Sequence, residues 1–125
     1  MEKLFFDHTE DTPKVLLDAD NREFLIEGRS LPENAVEFYL PILNWLNDYS
    51  KIPNASIAFK FKLEYFNTAS AKQITKLLIL LQQISEKISV KINWHYYRED
   101  ADIMASGIRF AKLIKAKIEL IPYDD

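Results

Sequence analysis

Residues 56–72, SIAFKFKLEYFNTASAK, pass from a strictly alternating run into a helical one. Ile57, Phe59, Phe61, Leu63 and Tyr65 face one way and Lys60, Lys62 and Glu64 the other, the two-residue period of a strand with one buried side. Beyond Thr68 the period changes: Ile74, Leu77, Leu78, Leu81, Ile84 and Ile88 trace a helical stripe, with Ser70 and Gln73 at capping-box spacing. Thr68 stands at the corner. A strand feeding directly into a helix is half of a β-α-β unit, so the flanking segments decide the fold.

They repeat the pattern. Val90, Ile92, Trp94 and Tyr96 alternate again; the next helix opens on the acids of REDAD and carries Ile103, Gly107, Phe110, Ala111 and Ile114 inward; KIELIPY closes as a strand. Upstream, KVLLDA and EFLIEG flank Asp20-Asn21-Arg22 as a hairpin. The segment Ser30 to Lys51 reads as a helix, with Ser30 and Glu33 as a capping box, Pro32 in the first turn, Val36, Tyr39, Leu43 and Leu46 at helical spacing, and a kink at Pro41. The order is β-β-α-β-α-β-α-β. Strands joined through single helices run parallel with right-handed crossovers, and the alternating strands imply three helices mostly on one face of a mixed, mainly parallel sheet.

With 125 residues, 48% of them hydrophobic, the chain holds one core, and residues 1–125 are expected to form a single domain. Sixteen basic residues against nineteen acidic ones leave a net charge of -3, which gives no pull towards nucleic acid or an anionic membrane. The absence of cysteine removes disulfides, thiolate metal sites and cysteine nucleophiles. The first residues, MEKLFFDHTEDT, lack a signal-peptide core or a membrane span, so a cytoplasmic location without membrane insertion is expected.

The carboxyl ends of the parallel strands share one rim, which collects Gly28-Arg29-Ser30, Asn67-Thr68 and Tyr97 to Asp102; ligands and partners of open α/β sheets bind there. Partner contacts are expected from Arg29, Ser30 and Asp100, and along the helix start from Asn67, Thr68, Ala69, Ser70 and Lys72. Catalysis finds little support. His8 lies near the start and His95 in a strand opposite Trp94, neither placed to activate Thr68. Glu99, Asp100 and Asp102 are a solvated first helical turn or, in the alternative of a small cation-dependent enzyme, oxygen ligands. Neither glycine belongs to a phosphate-cradling loop, and no cofactor or metal is called for. Tyr39, Trp45 and Tyr49 recur at helical spacing and read as core or its margin. By spacing alone Thr68 is a helix cap, although a phosphate on it would also meet free N–H groups at a helix start.

Four stretches carry a resemblance: TPKVLLD (12–18), EGRSLPENAVEFYLPILNWL (27–46), YFNTASAK (65–72) and WHYYREDADIMASG (94–107). In this order they resemble the SiaC family of bacterial regulatory phosphoproteins, small STAS-like domains akin to anti-sigma-factor antagonists. The resemblance implies a non-enzymatic partner-switching protein whose phospho-acceptor is Thr68. It also implies a partner Ser/Thr kinase with a histidine-kinase-like ATP-binding fold, a PP2C-type phosphatase, and an effector, a diguanylate cyclase bound and activated by the unmodified form to raise cyclic-di-GMP and promote biofilm formation. The chain departs from the family pattern at Ala69 and Ala71, which leave Ser70 as the one neighbouring hydroxyl, and at Leu31, where an aromatic is usual. A purely structural interaction module is the blander alternative.

Overall fold

Alternating apolar residues build a six-stranded sheet in a computed structural model that describes residues 1–124. The strands are β1 (Leu4–Phe6), β2 (Lys14–Asp18), β3 (Glu23–Ser30), β4 (Ser56–Phe66), β5 (Ser89–Tyr97) and β6 (Ile118–Tyr123), lying side by side in chain order. The pairs β1–β2 and β2–β3 are antiparallel, while β3 to β6 are parallel. Helices α1 (Ala35–Tyr49), α2 (Thr68–Ser85) and α3 (Ala101–Leu113) connect them. Parallel neighbours added always on the same side, each through a right-handed crossover, place all three helices on one face. This is the expected mixed sheet.

Two side-chain rows run across the covered face. Leu17, Phe24, Phe59, Ile92 and Ile118 form one, and Val15, Ile26, Phe61, Trp94 and Leu120 the other. Phe59 and Phe61 are fully buried, and Phe24 packs against both Trp45 and Tyr49 of α1. Fully burying a large apolar side chain contributes about 1.5–3 kcal/mol. The helices are thereby bound to the sheet. The opposite face carries Leu25, Glu27, Lys60, Lys62, Asn93 and His95, none fully buried.

Several local expectations are corrected. Strand β1 was not foreseen, because three residues are too few to show a period. Helix α1 starts at Ala35, with the Asn34 side chain accepting from the Glu37 amide at 3.1 Å; the Ser30/Glu33 capping box does not form, since Ser30 still belongs to β3. The buried stripe runs through Tyr39, Ile42, Trp45, Leu46 and Tyr49, while Val36, expected inward, is 58% exposed in the first turn. Pro41 lies inside this helix, as expected, at an exposed position. In β4 the alternation fails at Tyr65: Leu63 pairs with Gly28 but Tyr65 pairs with Arg29, so Glu64 is an extra, bulged residue. Gly28 has φ 119°, a conformation that favours glycine. The bulge turns Tyr65 outward and Phe66 inward, onto Trp94 and Phe110.

Just past this bulge lies a buried hydroxyl cluster. Ser30 Oγ is 2.7 Å from Tyr39 Oη and 2.9 Å from Ser70 Oγ, and the Ser70 hydroxyl donates to the Ser30 carbonyl at 3.0 Å. One proton arrangement satisfies every contact: Ser70 gives its proton to that carbonyl, Ser30 gives its own to Ser70 Oγ, and Tyr39 donates to Ser30 Oγ. All three residues are 0% exposed. The Asn67 amide also donates to the Ser30 carbonyl, at 3.1 Å. The ends of β3 and β4 and the starts of α1 and α2 are thus fastened at one point.

Two measurements check this packing. A Cβ at Gly107 would lie 2.5 Å from Trp94 Cδ1 and 2.7 Å from Leu120 Cδ2, and Trp94 is held by its N–H bond to the Ile103 carbonyl at 2.9 Å. Gly107→Ala is therefore expected to destabilise the fold by about 1–3 kcal/mol in urea unfolding, even after the helix-propensity gain of about 1 kcal/mol. Burial also pushes the Tyr39 hydroxyl up from 10.0 to about 12. The folded state then holds a proton that the unfolded state releases first, so stability is intact below pH 10 and falls by about 2–3 kcal/mol as pH rises towards 12. Tyr49 is raised in the same direction by its burial, so Tyr39→Phe should reduce the alkaline loss without abolishing it.

Candidate functional site

The first turn of α2 explains why Thr68 differs from the hydroxyls around it. Asn67 takes the cap: its Oδ1 accepts from the Ser70 amide at 2.8 Å, and its carbonyl from the Ala71 amide at 2.9 Å. Neither the expected cap role of Thr68 nor the Ser70/Gln73 capping box forms. Ser70 and Gln73 instead point into the core, at 0% and 4% exposure. Thr68 is the first helical residue, exposed, and among the described residues its hydroxyl makes no hydrogen bond. The amides of Thr68 and Ala69, first in the helix, have no intrahelical acceptor. Thr75, by contrast, is half-buried and donates to the Ala71 carbonyl at 2.9 Å.

Thr68 opens onto a cleft of about 340 Å³ between α2 and α3. Glu64, Tyr65 and Phe66 from β4 and Asn67 and Ala71 flank it on one side; Asp100, Asp102, Ile103, Ser106 and Arg109 close the other. Asp100 caps α3, accepting from the Ile103 amide at 3.0 Å. Its carboxylate is therefore occupied structurally, and Asp102 is exposed. Among the described residues no three His, Asp or Glu side chains converge as metal ligands, so the alternative of Glu99, Asp100 and Asp102 as a cation site has no geometry behind it.

The expected partner residues divide by location. Thr68, Ala69 and Lys72 are exposed on α2, and Asn67 and Asp100 line the cleft. Ser30 and Ser70 have no exposed surface and belong to the hydroxyl cluster, because the bulge carries both beneath the helix start. Arg29 does not line the Thr68 cleft but adjoins it. Its guanidinium sits over the Tyr65 ring, 5.6 Å from the centroid, and lines a neighbouring cleft of about 530 Å³ with His8, Lys14 and Glu27, which shares Glu64 with the first. His95 is half-buried on the uncovered face, its pKa lowered by desolvation and by Lys60 and Lys62. Sequence reasoning passed over Arg109, although Asp102, Ser106 and Arg109 at i, i+4 and i+7 on one helix face were a usable signal.

Among the described residues no helix is long and apolar enough to cross a membrane. An uncharacterised protein of Pseudomonas aeruginosa (strain UCBPP-PA14) is 27% identical over 101 residues, 80% of each chain. The crystal structure of apo-SiaC from Pseudomonas aeruginosa is 23% identical and matches with a TM-score of 0.89 over 97% of this chain and 99% of its own. The structure of the diguanylate cyclase SiaD in complex with its activator SiaC, from the same organism, matches with a TM-score of 0.90 at 22% identity, over 96% and 99%. These two likenesses establish the fold. Residues 6–123 match the family described as SiaC family regulatory phosphoprotein, nearly the whole chain, and the chain belongs to that family.

Proposed function

We propose that this protein is a non-enzymatic partner switch whose state is set by phosphorylation of Thr68. The observation that carries the proposal is the free, exposed Thr68 hydroxyl at a helix start whose cap is supplied by Asn67. In the forward step Thr68 Oγ1 attacks the γ-phosphorus of ATP on a partner Ser/Thr kinase with a histidine-kinase-like ATP-binding fold. ADP leaves and the hydroxyl proton passes to the kinase. A PP2C-type phosphatase directs water onto the phosphorus, which returns the hydroxyl and releases inorganic phosphate. The unmodified form binds and activates a diguanylate cyclase, as SiaC is the activator of SiaD in the similar complex, and so controls cyclic-di-GMP and biofilm formation. Phosphorylation adds about -1.5 to -2 charge where the effector docks and ends that contact.

Site mapping by mass spectrometry tests the first half. Incubation with the cognate kinase and ATP should add one phosphate, on Thr68. Ser70→Ala should retain it while losing about 1–3 kcal/mol of stability, because the buried Ser30 groups lose a partner. A phosphate on Ser70 in the wild type would overturn the assignment.

Cyclase activation tests the second half. Thr68→Ala leaves the Asn67 cap in place, so its stability should change by no more than about 0.5 kcal/mol. Cyclic-di-GMP production by the cognate cyclase should then be stimulated by Thr68→Ala whether or not the kinase is present, and by the wild type only without it. Stimulation of the wild type that survives full phosphorylation would remove Thr68 from the output.

A further inference from the structure

The cleft beside Thr68 contains a cation without a counter-ion. Arg109 donates through Nη2 to Ser106 Oγ at 3.0 Å, and the Ser106 hydroxyl donates to the Asp102 carbonyl at 3.0 Å, so the guanidinium is tethered along the wall of α3. Among the described residues no carboxylate lies within 4.0 Å of it. Four of its five N–H donors remain for another group, in a planar fork that suits phosphate oxygens. Its cleft is the one Thr68 opens onto.

We propose that Arg109 receives the phosphate of phosphorylated Thr68, bridging α2 and α3 across the cleft; this rests on Thr68 being the modified residue. Three carboxylates oppose it. Asp100 is held in its cap by the Ile103 amide at the positive end of α3, while Glu64 and Asp102 are exposed and free to turn to solvent. Screening weakens repulsion from the exposed pair more than attraction to a directly bonded guanidinium. Two other cations are near: Arg29 sits over the Tyr65 ring and lines an adjoining cleft that shares Glu64, and Lys72, exposed like Arg109, lies one turn along α2; unlike either, Arg109 lines the cleft that Thr68 opens onto. Arg109 thus determines how the charge is presented, and acts as a positioning residue for the switch.

The test places phosphothreonine at position 68 during translation, so that it reads the pairing regardless of which residue a kinase selects; the kinase mapping above tests that choice separately. Phosphorus NMR then follows the second ionisation of the phosphate against pH. A bonded guanidinium favours the dianion, so Arg109→Gln should raise this pKa by about 0.5–1 unit, and Arg109→Lys, which keeps the charge but not the fork, should raise it less. Arg29→Gln and Lys72→Gln should each move it by less than about 0.2 unit. The Arg109 Nε–H resonance should also shift between unmodified and phosphorylated wild type. An unchanged pKa in Arg109→Gln, or a larger change in Lys72→Gln or Arg29→Gln, would overturn the proposal.

Discussion

The hydrogen bonds between Ser70 and Ser30 hold the working end of this molecule together. They lie where two strands end and two helices begin, and they are fully buried. A buried hydroxyl or carbonyl left unpaired costs about 1–3 kcal/mol, so the four chain segments are held to one mutual arrangement. Because the Ser30 carbonyl also accepts from the Asn67 amide, Asn67 is set at the end of β4 with its side chain turned to the cap. Thr68 is then left over: first in the helix, outward, and with no structural duty for its hydroxyl.

The bulge in β4 makes that arrangement reachable. Were Glu64 regularly paired rather than bulged, strict alternation would carry Tyr65 to the core and Phe66 to the outside, and Asn67 and Ser70 would arrive out of phase with Ser30. Gly28 on the neighbouring strand accepts the distortion with its positive φ. Phe66 then fills the space between Trp94 and Phe110, which ties the Thr68 corner to α3 and forms one wall of the cleft. One inserted residue therefore sets both the helix cap and the cleft.

Long periodic segments were legible in the sequence, and short-range substitutions between polar partners were not. The alternation of β4 and β5 and the stripe of α2 are driven by burial of many residues at once, so the element order, parallel connections and one-sided helices could be read from pattern. The Thr68 corner and its neighbours Asn67 and Asp100 followed from that topology. Caps depend on single side chains competing at adjacent positions: Asn34 displaced Ser30 and Asn67 displaced both Thr68 and Ser70, since each serine found a buried partner that sequence does not display. Tyr65 was misplaced because a bulge leaves almost no trace beyond two adjacent aromatics, Tyr65 and Phe66, breaking the period. The places of Arg29 and Arg109 were illegible for a related reason. Arg29 is near Thr68 along the rim in topology, but the outward turn of Tyr65 captures it, whereas Arg109 is a little over two turns into α3 and reaches the site only because α3 packs beside the Thr68 corner.

The proposed switch is one that a partner reads at the surface. The layer beneath Thr68 consists of neutral hydroxyls with every proton committed, and Tyr39 there stays protonated far above neutral pH. A charge added outside that layer has no buried titratable partner to reorganise, and the core rows below are apolar. On the proposed reading the phosphate therefore changes electrostatics and bulk at the cleft while the sheet keeps its register. That suffices for signalling, because about 1.4 kcal/mol of differential contact energy alters partner affinity tenfold. A phosphate facing a partner's acid, or displacing an apolar contact at the helix start, supplies a change of that size without any cost in folding.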